Sequence, residues 1–362
     1  MLKSLNIKNY RGFEHLGVHD LSNVNLIVGT NNSGKTSVLE SAAMLLDGSD
    51  VAPFQSSIER GEFVAGSDSP RDREIDIRHL FHGHHLAIGN KIIISGDHGQ
   101  PISMTYEIQP PTDDDLSSTL FEKDDDKFDL STSMTLVVSK NQFKENMKYL
   151  LTGKGGVPYD RLRRLPLKEK AESPPVNIIS SESLGAAQLS DLWDDIALTD
   201  AEEEINHVLQ ILEPKVERIA FLSVRQYRYS KSGIVVKIKG LPDRVPLGSL
   251  GDGIRRMLAI SISIISSSQG YLMIDEIDTG LHHSVMTEMW KMVIQTAERL
   301  NVQIFATTHS LDCIRSLGDI QSQTPELCKN VRAHRIEKDL EKTITYYPDE
   351  LSRAILQHAE IR

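Results

Sequence analysis

The residues Gly29-Thr30-Asn31-Asn32-Ser33-Gly34-Lys35-Thr36 fit the pattern G-x-x-x-x-G-K-[ST] at every fixed position, with Ser37 directly after it. That pattern is a phosphate cradle. Gly29 and Gly34 allow a tight turn, and they let backbone amides approach phosphate oxygens where a Cβ would obstruct. Lys35 supplies a cation for the β- and γ-phosphates of a nucleotide, and the Thr36 hydroxyl supplies an oxygen to Mg²⁺. Far downstream, the apolar run Tyr271-Leu272-Met273-Ile274 ends in two carboxylates, Asp275 and Glu276. Asp275 suits the Mg²⁺ shell. A third segment, Val302 to Ser310, is apolar at first and ends in Thr307-Thr308-His309-Ser310. The expected chemistry is phosphoryl transfer from ATP with Mg²⁺.

Such groups need elements to carry them. Asn25 to Val28 reads as a buried strand, and Leu39, Ala42, Ala43 and Leu46 recur at helical spacing, so the cradle lies between a strand and a helix whose positive end faces the anion. The run ending in Asp275 reads as a buried parallel strand, delivering acids at the C-terminal end where α/β sheets bind ligands. Leu5 and Ile7 mark a half-buried first strand. Lys91 to Ser95 and Ile102 to Ile108 form an expected antiparallel pair, with a further strand at Met134 to Val138. Two helices are expected from the stripes Leu189, Leu192, Trp193, Ile196 and Ile205, Val208, Leu209, Leu212, with Thr199 and Glu202 as a capping box. Strands near Glu217 to Val224 and Gly233 to Ile238 precede a helix over Ile254 to Ser268. The fold class is α/β.

Three segments extend this reading by resemblance. Tyr10-Arg11-Gly12-Phe13, together with the Asn-rich cradle, resembles the opening of RecF, SMC and OLD-type ABC ATPases. Leu247-Gly248-Ser249-Leu250-Gly251-Asp252 resembles the ABC signature in part, with Ser249 and Gly251 at its Ser and second Gly and Arg255 at its later basic position. The resemblance implies a P-loop NTPase of the ABC-head type. Its mixed and parallel core comes from both ends of the chain, with an antiparallel β-lobe and a helical insertion between them. The expected division is residues 1–139, 140–215 and 216–362.

By the same resemblance Glu276 is the general base, His309 the switch histidine on the γ-phosphate and Lys35 a catalytic cation. Asp278 to His282 is the D-loop, and Arg11 touches phosphate or base. Ser249 and Gly251 receive the nucleotide of another copy, which implies a homo-oligomer, at least a dimer. Gln55 and Gln100 are candidates for the Q-loop glutamine. The phrases Ile274 to His282 and Ala306 to Ser310 resemble OLD-like ATPases, including components of anti-phage systems such as Gabija and PARIS. The segment after His309 is too short for a Toprim nuclease domain and has no D-x-D pair, so the expectation is a separate effector protein, possibly a nuclease.

With 39% hydrophobic and 25% charged residues, the composition is that of an ordinary globular chain. The net charge of −11 argues against a generic polyanion binder. Nucleic acid would have to meet the one concentrated basic stretch, Arg161, Arg163, Arg164, Lys168 and Lys170, which reads first as a solvated linker; the alternative function, by resemblance, is a RecF-like DNA-repair ATPase that clamps DNA with these residues. Four histidines between His79 and His85 have no cysteine nearby and no familiar metal spacing, and read as packing and hydrogen-bonding groups. The acidic run Asp113 to Asp129 reads as a solvated loop. Two cysteines and no apolar stretch of membrane length point to a soluble, cytoplasmic protein.

Overall fold

The computed structural model describes residues 1–47, 52–65, 73–112, 134–141, 146–159, 162, 174–222, 233–337, 340–357, 359 and 361. The acidic run and the basic residues Arg161, Arg163, Arg164, Lys168 and Lys170 lie outside these. Strands β1 (Ser4–Tyr10), β2 (Phe13–Val18) and β3 (Val24–Val28) lead through the cradle into helix α1 (Lys35–Leu46). Then come α2 (Ala52–Glu59), β4 (Glu74–Asp76), β5 (Lys91–Asp97), β6 (Pro101–Gln109), β7 (Thr135–Lys140), β8 (Met147–Leu150), β9 (Gly156–Pro158) and β10 (Val176–Ile179). Helices α3 (Ala186–Trp193) and α4 (Asp200–Leu212) precede β11 (Val216–Phe221), β12 (Ile234–Ile238), β13 (Val245–Pro246) and α5 (Asp252–Ser266). The last stretch holds β14 (Tyr271–Ile274), α6 (His283–Leu300), β15 (Gln303–Thr308), α7 (Leu311–Gln323), α8 (Pro325–Cys328), β16 (Val331–Glu337), β17 (Lys342–Tyr346) and α9 (Pro348–Leu356).

Among the described residues, twelve strands form one mixed sheet in the order β10-β14-β15-β3-β16-β17-β2-β1-β5-β6-β7-β8. From β10 to β16 every neighbour is parallel, and β3 lies between β15 and β16. The β-lobe is the antiparallel continuation of this sheet through β1, β5, β6, β7 and β8.

The residues explain why β3 sits in the middle. All five of its side chains are buried, as a strand covered on both faces requires. Ile27 joins the core beneath α1, while Leu26 and Val28 join the opposite core with α5, α6 and α7. The α1 stripe packs Val38, Leu39, Ala42, Ala43 and Met44 against Met273 and Phe305. A smaller core joins α3, α4, β11 and β12 to α5 through Trp193, Ile205, Val236 and Leu258.

Two expectations need correction. The stretch 140–215, read as a helical insertion, also supplies β10, which pairs in parallel with β14 from Val176–Tyr271 to Ile179–Ile274. Its apolar sequence, with β-branched Val176, Ile178 and Ile179, completes the edge of the parallel block. Thr199 makes no side-chain cap on α4. Its hydroxyl turns back to Ile196 O at 2.6 Å, while Glu202 accepts from Leu198 N at 2.8 Å and pairs with Arg218 at 3.0 Å. The carboxylate caps a turn that begins one residue earlier, at Leu198 with φ 64°.

Candidate nucleotide site

The cradle forms because β3 stops and α1 starts with only six residues between them. Gly34 caps α1 at φ 94°, a left-handed conformation, and a Cβ there would come within 2.3 Å of the Phe13 ring. Phe13 thus underlies the cradle and fixes Gly34 for a steric reason absent from the motif. Asn31 and Asn32 are exposed on the turn, and Ser33 and Ser37 are buried beneath it. The Lys35 ammonium bonds Gly29 O and Thr30 O, each at 2.9 Å, and so lies across the mouth of the loop. Burial lowers its pKa, opposed by the carboxylates of Asp275 and Glu276.

The parallel register brings the distant acids to this point. Ile274 pairs with Ala306, so Asp275 emerges from β14 level with Thr307 of β15. Thr36 Oγ1 lies 3.1 Å from Asp275 Oδ2 and 3.3 Å from Oδ1, and Thr307 Oγ1 donates to Oδ1 at 2.6 Å. Glu276 has φ 50°, its N–H bonds Thr307 Oγ1 at 2.8 Å, and its carboxylate accepts from Thr279 Oγ1 at 3.1 Å. His309 Nδ1 is 3.6 Å from the other oxygen of Glu276. Lys35, Thr36, Asp275, Glu276 and His309 therefore converge.

Thr36 and Asp275 present hard oxygens side by side, the donor type Mg²⁺ takes, so these two residues fit the metal. They would hold it against the phosphates, where Mg²⁺ neutralises charge developing on the transferred phosphoryl group. In the role expected of it, Glu276 would orient water and accept its proton, and His309 lies beside it on the exposed side. Lys35 would neutralise negative charge on a phosphate at the mouth of the turn.

The signature segment folds as a 3₁₀ turn, Leu247–Leu250, and Gly251 caps α5 at φ 99°. Ser249 and Gly251 are exposed, and a Cβ on Gly248 or Gly251 would meet no atom within 4 Å. Arg255 is exposed and stays within its own helix, 3.6 Å from Asp252. The inward cation is Arg256, which the sequence reading missed. Its buried guanidinium donates to Ser180 O at 2.8 Å, Asp275 O at 2.5 Å and Glu276 O at 2.9 Å. Burial lowers its pKa, countered by Asp275, Asp278 and Glu276. The D-loop touches the same helix, because a Cβ on Gly253 would lie 2.9 Å from Gly280 O.

Arg11, expected at the phosphates or the base, is engaged by carboxylates. Its guanidinium is buried against Glu40 and Glu62, each at 2.8 Å, and also donates to Ser56. Burial disfavours its charge, but the Tyr10 phenol and the two carboxylates outweigh that and raise its pKa. The reason is local: Glu40 comes one turn into α1, behind the cradle, and captures the cation. Gln55 bonds Glu59 within α2, and Gln100 lies in the β5–β6 turn, so neither is brought to Asp275. In the histidine-rich segment, His79 and His84 approach at 3.4 Å and His82 bonds Arg11 O at 3.0 Å. Thr307 and Phe13 lie in segments that carry the resemblance, and Arg256 follows the signature segment, but none had a role of its own there, which only the strand and turn register reveals.

The family model described as AAA ATPase domain matches residues 1–154 and 177–314. A Helicobacter pylori protein named ATP/GTP phosphatase is 22% identical over 97% of this chain and 97% of its own. Among solved structures, the SMC head domain from Thermotoga maritima is 14% identical and covers 96% of this chain and 98% of its own, with a TM-score of 0.42. A Pyrococcus furiosus Smc head domain, solved with an extended coiled coil and bound to the C-terminal domain of ScpA, is 10% identical over 99% of this chain and 98% of its own, with a TM-score of 0.48. Among the described residues, no helix is long and apolar enough to cross a membrane.

Proposed function

Because the chain belongs to the AAA ATPase domain family, whose model matches both the cradle and the Asp275–His309 segment, we propose that this ATPase works as a two-copy switch. Each nucleotide lies between the cradle of one copy and Ser249 and Gly251 of another. Closure on ATP and reopening after hydrolysis pass a signal to a separate effector protein. The name ATP/GTP phosphatase on the Helicobacter pylori relative supports a phosphate-releasing reaction.

One observation carries the switch. The signature loop is open to solvent, yet its helix is tied through Arg256 to the backbone of the two catalytic acids. A phosphate docking on that loop from outside would bear on the position of Glu276. The OLD-like phrases around Asp275 and His309 support a role as ATP-dependent sensor in anti-phage defence, with a nuclease as the effector class.

The test mixes two inactive variants, Glu276→Gln and Ser249→Arg. In mixed pairs one site carries both lesions and the other carries none, so an equimolar mixture should regain about a quarter of the wild-type rate. No regained turnover, with mixed pairs demonstrated by differential tags, would refute the shared site. A pull-down of Glu276→Gln with ATP and Mg²⁺ then addresses the effector. Nuclease-resistant capture of one specific protein supports it, and capture of DNA alone would replace it with a DNA clamp.

A further inference from the structure

Thr307 is buried on β15, inside the Ala306 to Ser310 phrase that gave it no role of its own, and it contacts three consecutive residues of the catalytic turn. Its single hydroxyl donates to Asp275 Oδ1 at 2.6 Å and accepts from Glu276 N at 2.8 Å, so its hydrogen-bonding capacity for one proton is used in a fixed direction. Its carbonyl accepts from Ile277 N at 3.0 Å. Glu276 lies between these anchors in the left-handed region, at φ 50°, which a residue with a side chain occupies only when its surroundings hold it there. On the far side of Asp275, Thr36 takes the other carboxylate oxygen at 3.1 Å. Asp275 is thereby clamped between two hydroxyls, one belonging to the cradle and one to β15.

We propose that Thr307 is a positioning residue that sets the metal-facing carboxylate and the general base together. It acts through Asp275 by fixing the rotation of the carboxylate, so that one oxygen faces Thr36. It acts through Glu276 by holding the backbone turn that aims the side chain toward His309. The adjacent Thr308 does the equivalent for the D-loop, donating to Asp278 Oδ1 at 2.5 Å, so consecutive hydroxyls of β15 brace consecutive parts of the active loop. This inference rests on the ATPase reading of the site.

The test compares wild type with Thr307→Val, which keeps the shape and removes the hydroxyl, and Thr307→Ser, which keeps the hydroxyl. Affinity for a non-hydrolysable ATP analogue is measured by calorimetry with Mg²⁺ and with EDTA, alongside steady-state kcat. For Thr307→Val, the gain in affinity due to Mg²⁺ should shrink about 10- to 100-fold and kcat should fall by a similar factor, while affinity in EDTA stays within about twofold. Thr307→Ser should keep both quantities within about threefold of wild type. The proposal is overturned if Thr307→Val keeps its Mg²⁺ gain and kcat, if its affinity in EDTA falls equally, or if Thr307→Ser loses both. The serine result decides the matter even where the valine variant does not fold. A wild-type chain without turnover would refute the ATPase reading, whereas the Mg²⁺-dependent affinities would still judge Thr307.

Discussion

His334 on β16 is fully buried beside the strand that feeds the cradle. Its Nε2 lies 3.3 Å from Asn25 Oδ1 and its Nδ1 lies 3.1 Å from Thr345 Oγ1. Asn25 Oδ1 is already an acceptor for Ser22 N, so the Nε2 side must carry the proton and the neutral ring is satisfied. Burial pushes the His334 pKa down to about 3 from 6.5, helped by Arg332. The folded chain therefore refuses a proton that the unfolded chain accepts between those two values, and stability must fall as pH falls through the window. Between pH 7.5 and pH 5 the loss from this one group is about 2 kcal/mol. The perturbation is His334→Gln, whose amide can serve both partners without titrating. Urea unfolding of both proteins at pH 7.5, 6.5, 5.5 and 5.0 should show wild type losing about 2 kcal/mol more than the variant across the series. Parallel curves, agreeing within about 0.5 kcal/mol after a constant offset, would refute the linkage.

Two further outcomes follow from the site. Gly34→Ala should abolish nucleotide binding and destabilise the chain, because left-handed φ alone costs about 1–2 kcal/mol and the new Cβ meets Phe13. Adding Phe13→Ala should return part of the lost melting temperature, and no return would refute the steric account. Arg11→Met should lower stability by about 3 kcal/mol, since Glu40 and Glu62 lose a buried partner, while ATP affinity measured by calorimetry changes less than about threefold. A large affinity loss with unchanged unfolding would restore Arg11 as a phosphate ligand.

The cradle was legible because all its residues are contiguous and its chemistry fixes their order. The strands ending at Asp275 and His309 were legible from apolar runs that stop at polar residues, and α5 from the segment that opens it. What stayed hidden depends on register across the sheet. Thr307 looks like one polar residue in a buried strand until Ile274 is known to pair with Ala306. Arg255 and Arg256 are adjacent cations, and only the face of α5 that packs on the sheet decides which one reaches the catalytic turn. Arg11 was read by resemblance as a ligand, whereas Glu40, one turn into α1, competes for it in space. β10 was hidden because its four residues lie between segments read as insertion.

The position of β3 also governs how the molecule comes into being. Its two neighbours are β15 and β16, and Leu2 and Asn25 bond residues 301 and 309 positions away. At about 5–20 residues per second, a ribosome makes those partners on the order of tens of seconds after β3. Throughout that interval a strand with four apolar residues out of five has neither edge paired. Loop closure over such separations makes the parallel block slow to assemble, and the phosphate cradle cannot be held in shape before it is complete. A nascent chain therefore gains its nucleotide site only once β15 and β16 have been made, which delays any ATP-dependent assembly until then.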